Sequence, residues 1–463
     1  LAAALLAPLA QIEKISGTRL RVLHISALPP SKPERQDWST EILLTATGTA
    51  ENGGLVALDS LHRVSFSIAS DADFKGAPVV RSWKINSERT RLAERHLMRE
   101  VTEASQLHRI PATDNWKLPV DQVALPYGFQ FAVEDFDRDG FLDIALASVR
   151  GPTALLKSLG GKQYAVANQA FGVPMMATRP GRALACWLDF NNDDFPDLIL
   201  GDRVYRNDGG KRFEEVTASS GLEFPQSPMS CAVADYDGDG LCDLYILHQF
   251  DGGQLEGEEP LPWVGDDISG AENTLWRNLG DGRFENVTAA SGAGAGLRNS
   301  FAATWLYADG DTLPDLYVAN DFGANNLLRN LGDGRFEEIA PASGAADFAT
   351  SMGVASGDLD NDGSPEIYVA NMYSKMGRRI IAQVSDSDYS PGVYQQIKGA
   401  CAGNRLYRRD PGDARYREWS EPWGINDIGW AYAPAITDLD NDGLLDLYAT
   451  TGYLSFERGK PDG

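Results

Sequence analysis

A nine-residue motif rich in aspartate recurs six times in this chain and restricts the folds that the chain can adopt. The fullest copy reads Asp235-Tyr-Asp237-Gly-Asp239-Gly240-Leu-Cys-Asp243, with carboxylates at positions 1, 3, 5 and 9 and glycine at position 6. Apolar, strand-like residues 244–247 follow directly. Glycine at position 6 permits the positive φ of a sharp turn. The motif therefore predicts a tight loop that caps a β-hairpin, because an EF-hand would need flanking helices and a glutamate at position 12.

The six copies offer oxygen ligands of the kind that Ca²⁺ prefers. This hard cation takes six to eight oxygens, and short aspartate side chains at alternate positions of a tight loop provide them. Position 7 contributes its backbone carbonyl, so its side chain is free to vary. The candidate ligands are Asp135, Asp137, Asp139, Phe141, Asp143, Asp189, Asn191, Asp193, Phe195, Asp197, Asp235, Asp237, Asp239, Leu241, Asp243, Asp309, Asp311, Leu313, Asp315, Asp358, Asp360, Asp362, Ser364, Glu366, Asp438, Asp440, Asp442, Leu444 and Asp446. We expect about five to six bound Ca²⁺ ions.

Two copies depart from the pattern. Residues 189–197 carry Asn191 at position 3 and Asp194 at position 6, and aspartate tolerates the left-handed region better than most residues. We expect this site to bind. Residues 307–315 begin with Tyr307, and the β-branched Thr312 stands at position 6. The weakest site is therefore expected at 307–315.

A second repeated signature completes each unit. Phe213-Glu-Glu-Val-Thr-Ala-Ser219 has counterparts at 284–291 and 336–343, and each follows a Gly-rich turn such as Asn330-Leu-Gly-Asp-Gly334. Asp-Gly between strands is a strong hairpin signal. The resulting unit has four antiparallel strands and recurs every 46 to 80 residues, which is typical of a β-propeller blade. We predict an all-β fold, a propeller of six to seven four-stranded blades with Ca²⁺-binding hairpin loops, plus a small N-terminal extension.

The domain organisation follows from where the motifs lie. Residues 1–37 are interpreted as a short helix and an irregular tether, 38–98 as a strand-rich segment, and 99–463 as the propeller, with insertions near 249–272 and 374–402. The sixth unit shows only its first hairpin. If residues 79–85 and 99–102 supply its missing strands, six blades close, and if the strands of 38–69 join as well, seven close.

Charge and cysteine content exclude several classes of protein. The net charge is −25, and 22 acidic residues occupy ligand positions in the six motifs. No basic patch is visible, which argues against a nucleic-acid partner. Cys186, Cys231, Cys242 and Cys401 form no CxxC motif, so a zinc ribbon is not indicated. A disulfide between Cys186 and Cys231 and buried free thiols both remain open.

The loop motif, together with Leu316-Tyr-Val-Ala-Asn-Asp321, Phe322-Gly323-Ala324-Asn325 and the Val-Thr-x-x-Ser-Gly signature, resembles the FG-GAP/VCBS repeat family. The similarity covers about residue 99 to the end and is greatest to the branch related to cartilage acidic protein. Integrin α-subunits carry similar calcium hairpins. The resemblance implies a propeller with Ca²⁺ at the blade hairpins.

These features predict a secreted or cell-surface, calcium-stabilised propeller that acts as a non-catalytic protein-binding or assembly scaffold. Such loops fill where calcium is millimolar, which favours an extracellular, cell-surface or periplasmic location. Few histidines and no HExxH, GxSxG or P-loop motif argue against an enzyme. Two alternatives remain: a carbohydrate-active lyase or hydrolase at the channel mouth, with a glycan as ligand, and an accessory subunit of a membrane-associated complex tethered through 1–37. The apolar residues 1–10 are too short to span a bilayer, so no transmembrane helix is expected.

Overall fold

The computed structural model shows a protein built mostly from β-strands. The structure describes residues 9–10, 12–32, 35–50, 53–69, 79–93, 98–110, 129–148, 152–176, 183–224, 228–249, 270–372, 377, 381–389, 392–410 and 412–452. The chain divides into two compact units, Leu1–Glu100 and Val101–Gly463. Among the described residues, none of the helices has the length and hydropathy needed to cross a membrane.

The N-terminal unit is a four-stranded antiparallel sheet of long strands in chain order. It consists of β1 (Lys14–Leu28), β2 (Arg35–Thr49), β3 (Leu55–Ala69) and β4 (Val79–Ala93). Ala46 of β2 packs with Val56 and Leu58 of β3 in one buried cluster. Leu44, two residues before Ala46, is also buried. This alternation places one face of the sheet in the core and the other toward solvent.

Two sequence predictions for this region are wrong. Residues 14–28 of the predicted tether form a 15-residue strand that pairs with β2 along its length. Residues 79–85 belong to β4 and pair with β3, and 99–102 contain no strand. These segments therefore do not supply strands for the sixth unit, whose described part is one hairpin. The buried cluster of this sheet is small and its strands are long. Backbone hydrogen bonds between the strands therefore stabilise this sheet more than an alternating apolar pattern does.

The C-terminal unit consists of antiparallel sheets that we number as repeats 1 to 6. Repeats 1 to 5 have four strands each, and two strands of repeat 6 are described. Repeat 1 contains β5 (Phe129–Glu134), β6 (Asp143–Ser148), β7 (Ala154–Leu159) and β8 (Gln163–Val166), and repeat 2 contains β9 (Ala185–Leu188), β10 (Asp197–Leu200), β11 (Arg203–Asn207) and β12 (Phe213–Glu215). Repeat 3 contains β13 (Pro228–Ala234), β14 (Asp243–His248), β15 (Thr274–Asn278) and β16 (Phe284–Asn286), and repeat 4 contains β17 (Asn299–Leu306), β18 (Asp315–Ala324), β19 (Asn326–Asn330) and β20 (Phe336–Glu338). Repeat 5 contains β21 (Phe348–Gly357), β22 (Glu366–Asn371), β23 (Arg405–Arg408) and β24 (Arg417–Glu418), and repeat 6 contains β25 (Ala431–Thr437) and β26 (Asp446–Thr451). The four-strand unit predicted from the repeats is thus present.

Short helices follow the fourth strands. They are α1 (Asn168–Phe171), α2 (Thr217–Ser220), α3 (Thr288–Ser291), α4 (Ala340–Ser343) and, after β24, α6 (Ser420–Trp423), while α5 (Val393–Ala400) lies in the second insertion. Each four-residue helix ends on a glycine with positive φ, for example Gly221 at 76°. Glycine adopts this left-handed C-cap without steric cost, which explains why Ser-Gly ends the repeated signature.

Consecutive repeats pack sheet against sheet. One buried cluster joins Ile199 and Val204 of repeat 2 to Leu244, Ile246 and Trp276 of repeat 3. Corresponding clusters join repeats 1 and 2, 3 and 4, 4 and 5, and 5 and 6. Strand β18 also hydrogen-bonds to β21, so repeats 4 and 5 share one eight-stranded sheet. The core of this unit therefore lies between repeats in chain order.

Much of the two insertions lies outside the described residues, including 250–269, 373–376 and 378–380. In the second insertion, the rings of Tyr389 and Tyr394 lie 6.3 Å apart. The four cysteines are free thiols in the structure. A hydrogen bond with Cys231, together with burial, raises the pKa of the Cys186 thiol.

Candidate metal sites

The six aspartate motifs form the turns between the first and second strands of the six repeats. We name them loop 1 (135–143), loop 2 (189–197), loop 3 (235–243), loop 4 (307–315), loop 5 (358–366) and loop 6 (438–446). In each case the ninth residue begins the second strand and pairs with the last residue of the first strand, as Asp243 pairs with Ala234. The prediction that the loops cap β-hairpins is confirmed.

The carboxylate at position 1 organises the turn. In loop 3, Asp235 accepts hydrogen bonds from the backbone N–H groups of Gly238 (2.8 Å), Asp239 (3.1 Å) and Gly240 (2.9 Å). The N–H groups of positions 5 and 6 make the same bonds in loops 1, 2, 5 and 6. Position 6 has positive φ in these loops, including Asp194 at 71°, as the sequence predicted.

In loops 1 to 5 the carboxylate at position 9 is buried beneath the loop. Asp243 accepts hydrogen bonds from the backbone N–H groups of Tyr236 (3.2 Å) and Asn278 (2.8 Å) and is fully buried. Burial raises its pKa to about 7. Burial likewise raises the pKa of Asp143 and Asp315 to about 6 and that of Asp197 and Glu366 to about 7. A bound dication would favour the ionised form of each carboxylate.

Four loops bring three carboxylates together. One oxygen from each residue of a trio lies within 4.8 Å of the others in loops 1, 3, 5 and 6. The trios are Asp135, Asp137 and Asp143; Asp235, Asp237 and Asp239; Asp358, Asp360 and Glu366; and Asp438, Asp440 and Asp446. Oxygens bound to one Ca²⁺ at 2.3–2.6 Å can lie up to about 5 Å apart, so the donor set and spacing fit this ion. The remaining predicted carboxylate ligands of these loops are Asp139, Asp243, Asp362 and Asp442.

Loops 2 and 4 are arranged differently. In loop 2 the Asn191 side-chain amide donates to Asp193 (3.1 Å). In loop 4, Tyr307 supplies no carboxylate and Thr312 is not among the residues with positive φ. The carboxylates of these two fully described loops, Asp189, Asp193 and Asp197, and Asp309, Asp311 and Asp315, form no such trio. The expectation that loop 4 binds most weakly stays a prediction.

The position-7 residues all adopt one backbone arrangement. Each donates its N–H to the position-5 carboxylate, at 2.8 to 3.0 Å. These residues are Phe141, Phe195, Leu241, Leu313, Ser364 and Leu444. Their carbonyls as metal ligands remain a prediction.

Basic side chains that the sequence analysis missed enter two of the loops. In loop 1, Lys157 Nζ lies 3.0 Å from Asp137, 2.7 Å from Asp139 and 3.2 Å from Asp143. In loop 5, Arg408 contacts the carboxylates of positions 3, 5 and 9. The same strand position holds Arg206, Arg277 and Arg329 in repeats 2 to 4, so alignment of the units is the signal that could have found them.

Three buried asparagines connect neighbouring loops, and we call Asn207, Asn278 and Asn330 the bridging asparagines. The side chain of Asn278 donates to the carbonyl of Cys242 in loop 3 (3.0 Å) and to that of Phe190 in loop 2 (3.0 Å). The other two repeat this pattern between loops 2 and 1 and between loops 4 and 3. The sequence analysis assigned these residues to turns and did not identify their contact with the preceding repeat.

A cavity of about 600 Å³ opens between loops 3, 4 and 5. Its lining includes Trp305, Thr312 and Ser356, and its acidic residue is Asp235, the first ligand position of loop 3.

Comparison with known proteins agrees with this arrangement. The FG-GAP-like repeat matches residues 189–246 and 308–369, which include loops 2 to 5. The chain therefore carries FG-GAP-like repeats over these two segments.

The chain is also similar to cartilage acidic protein 1. It is 25% identical to the Xenopus tropicalis protein over 421 residues, covering 74% of this chain and 61% of that protein. The identity to the Homo sapiens protein is 24% over 414 residues, covering 76% of this chain and 61% of that protein. The chain thus spans about three-fifths of the length of the curated relatives that it matches.

Proposed function

We propose that this protein is an extracellular, calcium-stabilised β-propeller that serves as a protein-binding scaffold. The observation that carries the proposal is loop 3, where three carboxylates converge within 4.8 Å above the buried Asp243. Among the described residues, Asp235, Asp237 and Asp239 form no ion pair with a basic side chain. Such a group of like charges favours a dication in its centre.

Sheet-against-sheet packing of repeats in chain order supports the propeller. Repeats 2 to 5 each pack against a neighbour on both sides, and closing the series would cover the outer faces of the first and last repeats. The similarity to FG-GAP repeats is consistent with this architecture. The number of blades remains six or seven in this proposal.

The proposed role of Ca²⁺ is to stabilise the hairpins. An ion that binds only the folded loop stabilises the fold by mass action, by about 2.7 kcal/mol per site at a hundredfold excess over Kd. Loops of this kind fill at millimolar calcium, which is the basis for proposing an extracellular location.

The aromatic pair of the second insertion supports a binding role. Tyr389 is partly exposed, and its ring lies beside that of Tyr394 on the segment that precedes and forms α5. Tyrosines on a loop carried by a rigid scaffold are well suited to protein recognition. The carboxylate lining the cavity belongs to a metal loop, so this cavity gives no specific support to glycan hydrolysis by a carboxylate pair.

Thermal unfolding of the full chain with Ca²⁺ and with excess EGTA tests the calcium role, together with metal counting. We expect EGTA to lower Tm markedly and Asp235→Ala to lose one bound ion. Asp333→Ala is the matched control, because it also removes one negative charge but only from an exposed pair with Arg335. No bound Ca²⁺ and no effect of EGTA would refute the proposal. Binding through the second insertion is tested separately. The Tyr389→Ser variant should fail to capture a protein partner that the unaltered chain binds.

A further inference from the structure

We propose that Lys157 and Arg408 act as internal cations of loops 1 and 5, so that Ca²⁺ binds there only by displacing a basic side chain. Loop 3, where three carboxylates converge and no basic side chain of the described residues makes an ion pair with them, is then the principal calcium site. The inference rests on the calcium role proposed above and specifies which loops carry it.

In loop 1 the ammonium group lies where a loop-bound cation would be. Lys157 Nζ contacts Asp137, Asp139 and Asp143, the carboxylates of positions 3, 5 and 9, and its side chain is only 14% exposed. An ammonium has three N–H donors, and each carboxylate accepts one of them. The negative charge of the loop is thus already partly neutralised from within the chain.

In loop 5 a guanidinium takes the same place. Arg408 Nη2 lies 2.6 Å from Asp360 and 3.3 Å from Asp362, and Nε lies 3.8 Å from Glu366. The last contact is an ion pair without a hydrogen bond. The two loops therefore share one arrangement although their bases differ.

In repeats 1 to 5, whose third and fourth strands are described, the residue opposite the base explains why loops 1 and 5 hold a base and loops 2 to 4 do not. In repeats 2 to 4 an arginine pairs across the strands with a glutamate, as Arg206 does with Glu214 at 2.6 Å. Arg277–Glu285 and Arg329–Glu337 are the equivalent pairs. Opposite Lys157 stands Ala165, and opposite Arg408 stands Arg417.

This difference in the cross-strand residue directs Lys157 and Arg408 toward the carboxylates of their loops. Ala165 offers no acceptor, and Arg417 pairs with Asp410 and Asp413 while repelling Arg408. The nearest acidic partners of Lys157 and Arg408 are then the loop carboxylates. Because the base and Ca²⁺ compete for the same oxygens, loops 1 and 5 keep their shape at low calcium and bind the ion more weakly than loop 3.

Calorimetric titration of the metal-free full chain with Ca²⁺, combined with metal counting, tests the inference. Lys157→Met removes the charge at similar length, and Ala165→Glu supplies the missing cross-strand acceptor at an exposed position. Each change is expected to raise the Ca²⁺ affinity of one site at least about tenfold, or to add one ion per chain at micromolar calcium. Arg206→Met is the matched control and should leave both quantities unchanged.

A second readout separates this inference from the broader calcium proposal. Lys157→Met is expected to lower Tm in EGTA, because three carboxylates lose their counter-charge, and to regain it on adding Ca²⁺. Unchanged affinity and stoichiometry in both Lys157→Met and Ala165→Glu would overturn the inference, even if the unaltered protein binds Ca²⁺ elsewhere. Gain of an ion by the variants alone, with none in the unaltered chain, would support the internal cation and refute calcium stabilisation of the natural protein.

Discussion

Replacing Asn278 by alanine tests whether the bridging asparagines hold neighbouring repeats together. The Asn278 side chain is 1% exposed and makes three hydrogen bonds. It donates to the carbonyls of Phe190 and Cys242, and it accepts from the backbone N–H of Gly280 at 2.9 Å. Alanine would remove all three bonds and leave two carbonyls and one N–H without these partners.

The expected loss of stability follows from these contacts. A typical intramolecular hydrogen bond contributes about 1 kcal/mol net, so three amount to about 3 kcal/mol. Buried groups left without partners cost about 1–3 kcal/mol each, so the three groups set an upper limit of about 9 kcal/mol. The Asn278→Ala change should destabilise loops 2 and 3 together, because the side chain bonds to both loops.

Urea unfolding in saturating Ca²⁺ measures the free energy of unfolding, and amide hydrogen exchange locates the effect. Exchange should accelerate in loops 2 and 3 and stay unchanged in loop 6. Asn286→Ala is the control, because this exposed asparagine makes one local bond to the Thr288 N–H (3.0 Å) and its loss should cost less than about 1 kcal/mol. A loss at Asn278 no larger than that of the control would refute the bridging role.

Two further changes test other parts of the structure. Asp321→Asn is expected to raise stability at pH 8 by about 1–2 kcal/mol and to change it little at pH 5. Burial raises the pKa of Asp321 to about 7, so between pH 4 and 7 the folded protein holds a proton that the unfolded chain releases. The stability of the unaltered protein therefore falls as pH rises through this range. Urea unfolding would contradict this if the stability difference between variant and unaltered protein were equal at both pH values. Tyr307→Asp with Thr312→Gly gives loop 4 its missing carboxylate and position-6 glycine, and metal counting should find one more Ca²⁺ per chain. Tyr307→Ala with Thr312→Gly is the control, and equal counts would contradict the expectation.

The hairpin loops could be predicted from the sequence because their geometry is local. The carboxylate of Asp235 bonds backbone groups three to five residues away, and Gly240 supplies the turn within the same nine residues. The tolerance of Asp194 for positive φ is equally a property of one residue.

The N-terminal sheet could not be predicted completely because long-range pairing forms it. Strand β1 contains many polar residues, and its apolar side chains such as Leu20 and Ile25 are exposed. Its polar–apolar alternation is interrupted at Val22-Leu23, where the pairing with β2 shifts register, so the alternating pattern is too short to identify the whole strand. Its pairing with β2 runs from Lys14 opposite Thr49 to Leu28 opposite Asp37. This long-range pairing, rather than a local sequence pattern, specifies the strand.

The internal cations and bridging asparagines were missed for a related reason. The direction of Lys157 depends on Ala165, which lies across a strand pair, and the role of Asn330 depends on a carbonyl 94 residues earlier. A single residue type therefore has different partners in different repeats, and only comparison of the repeats in register distinguishes them.

The bridging asparagines also order events during synthesis. Each one lies later in the chain than the loop that it joins in the preceding repeat, by 71, 88 and 94 residues for Asn207, Asn278 and Asn330. At a translation rate of about 5–20 residues per second, each nascent hairpin waits about 4–19 s before its neighbour emerges from the ribosome. During that interval one face of the repeat is uncovered, and its turn lacks the hydrogen bond from the bridging asparagine of the next repeat. The repeats are therefore completed one at a time, from the N-terminal side.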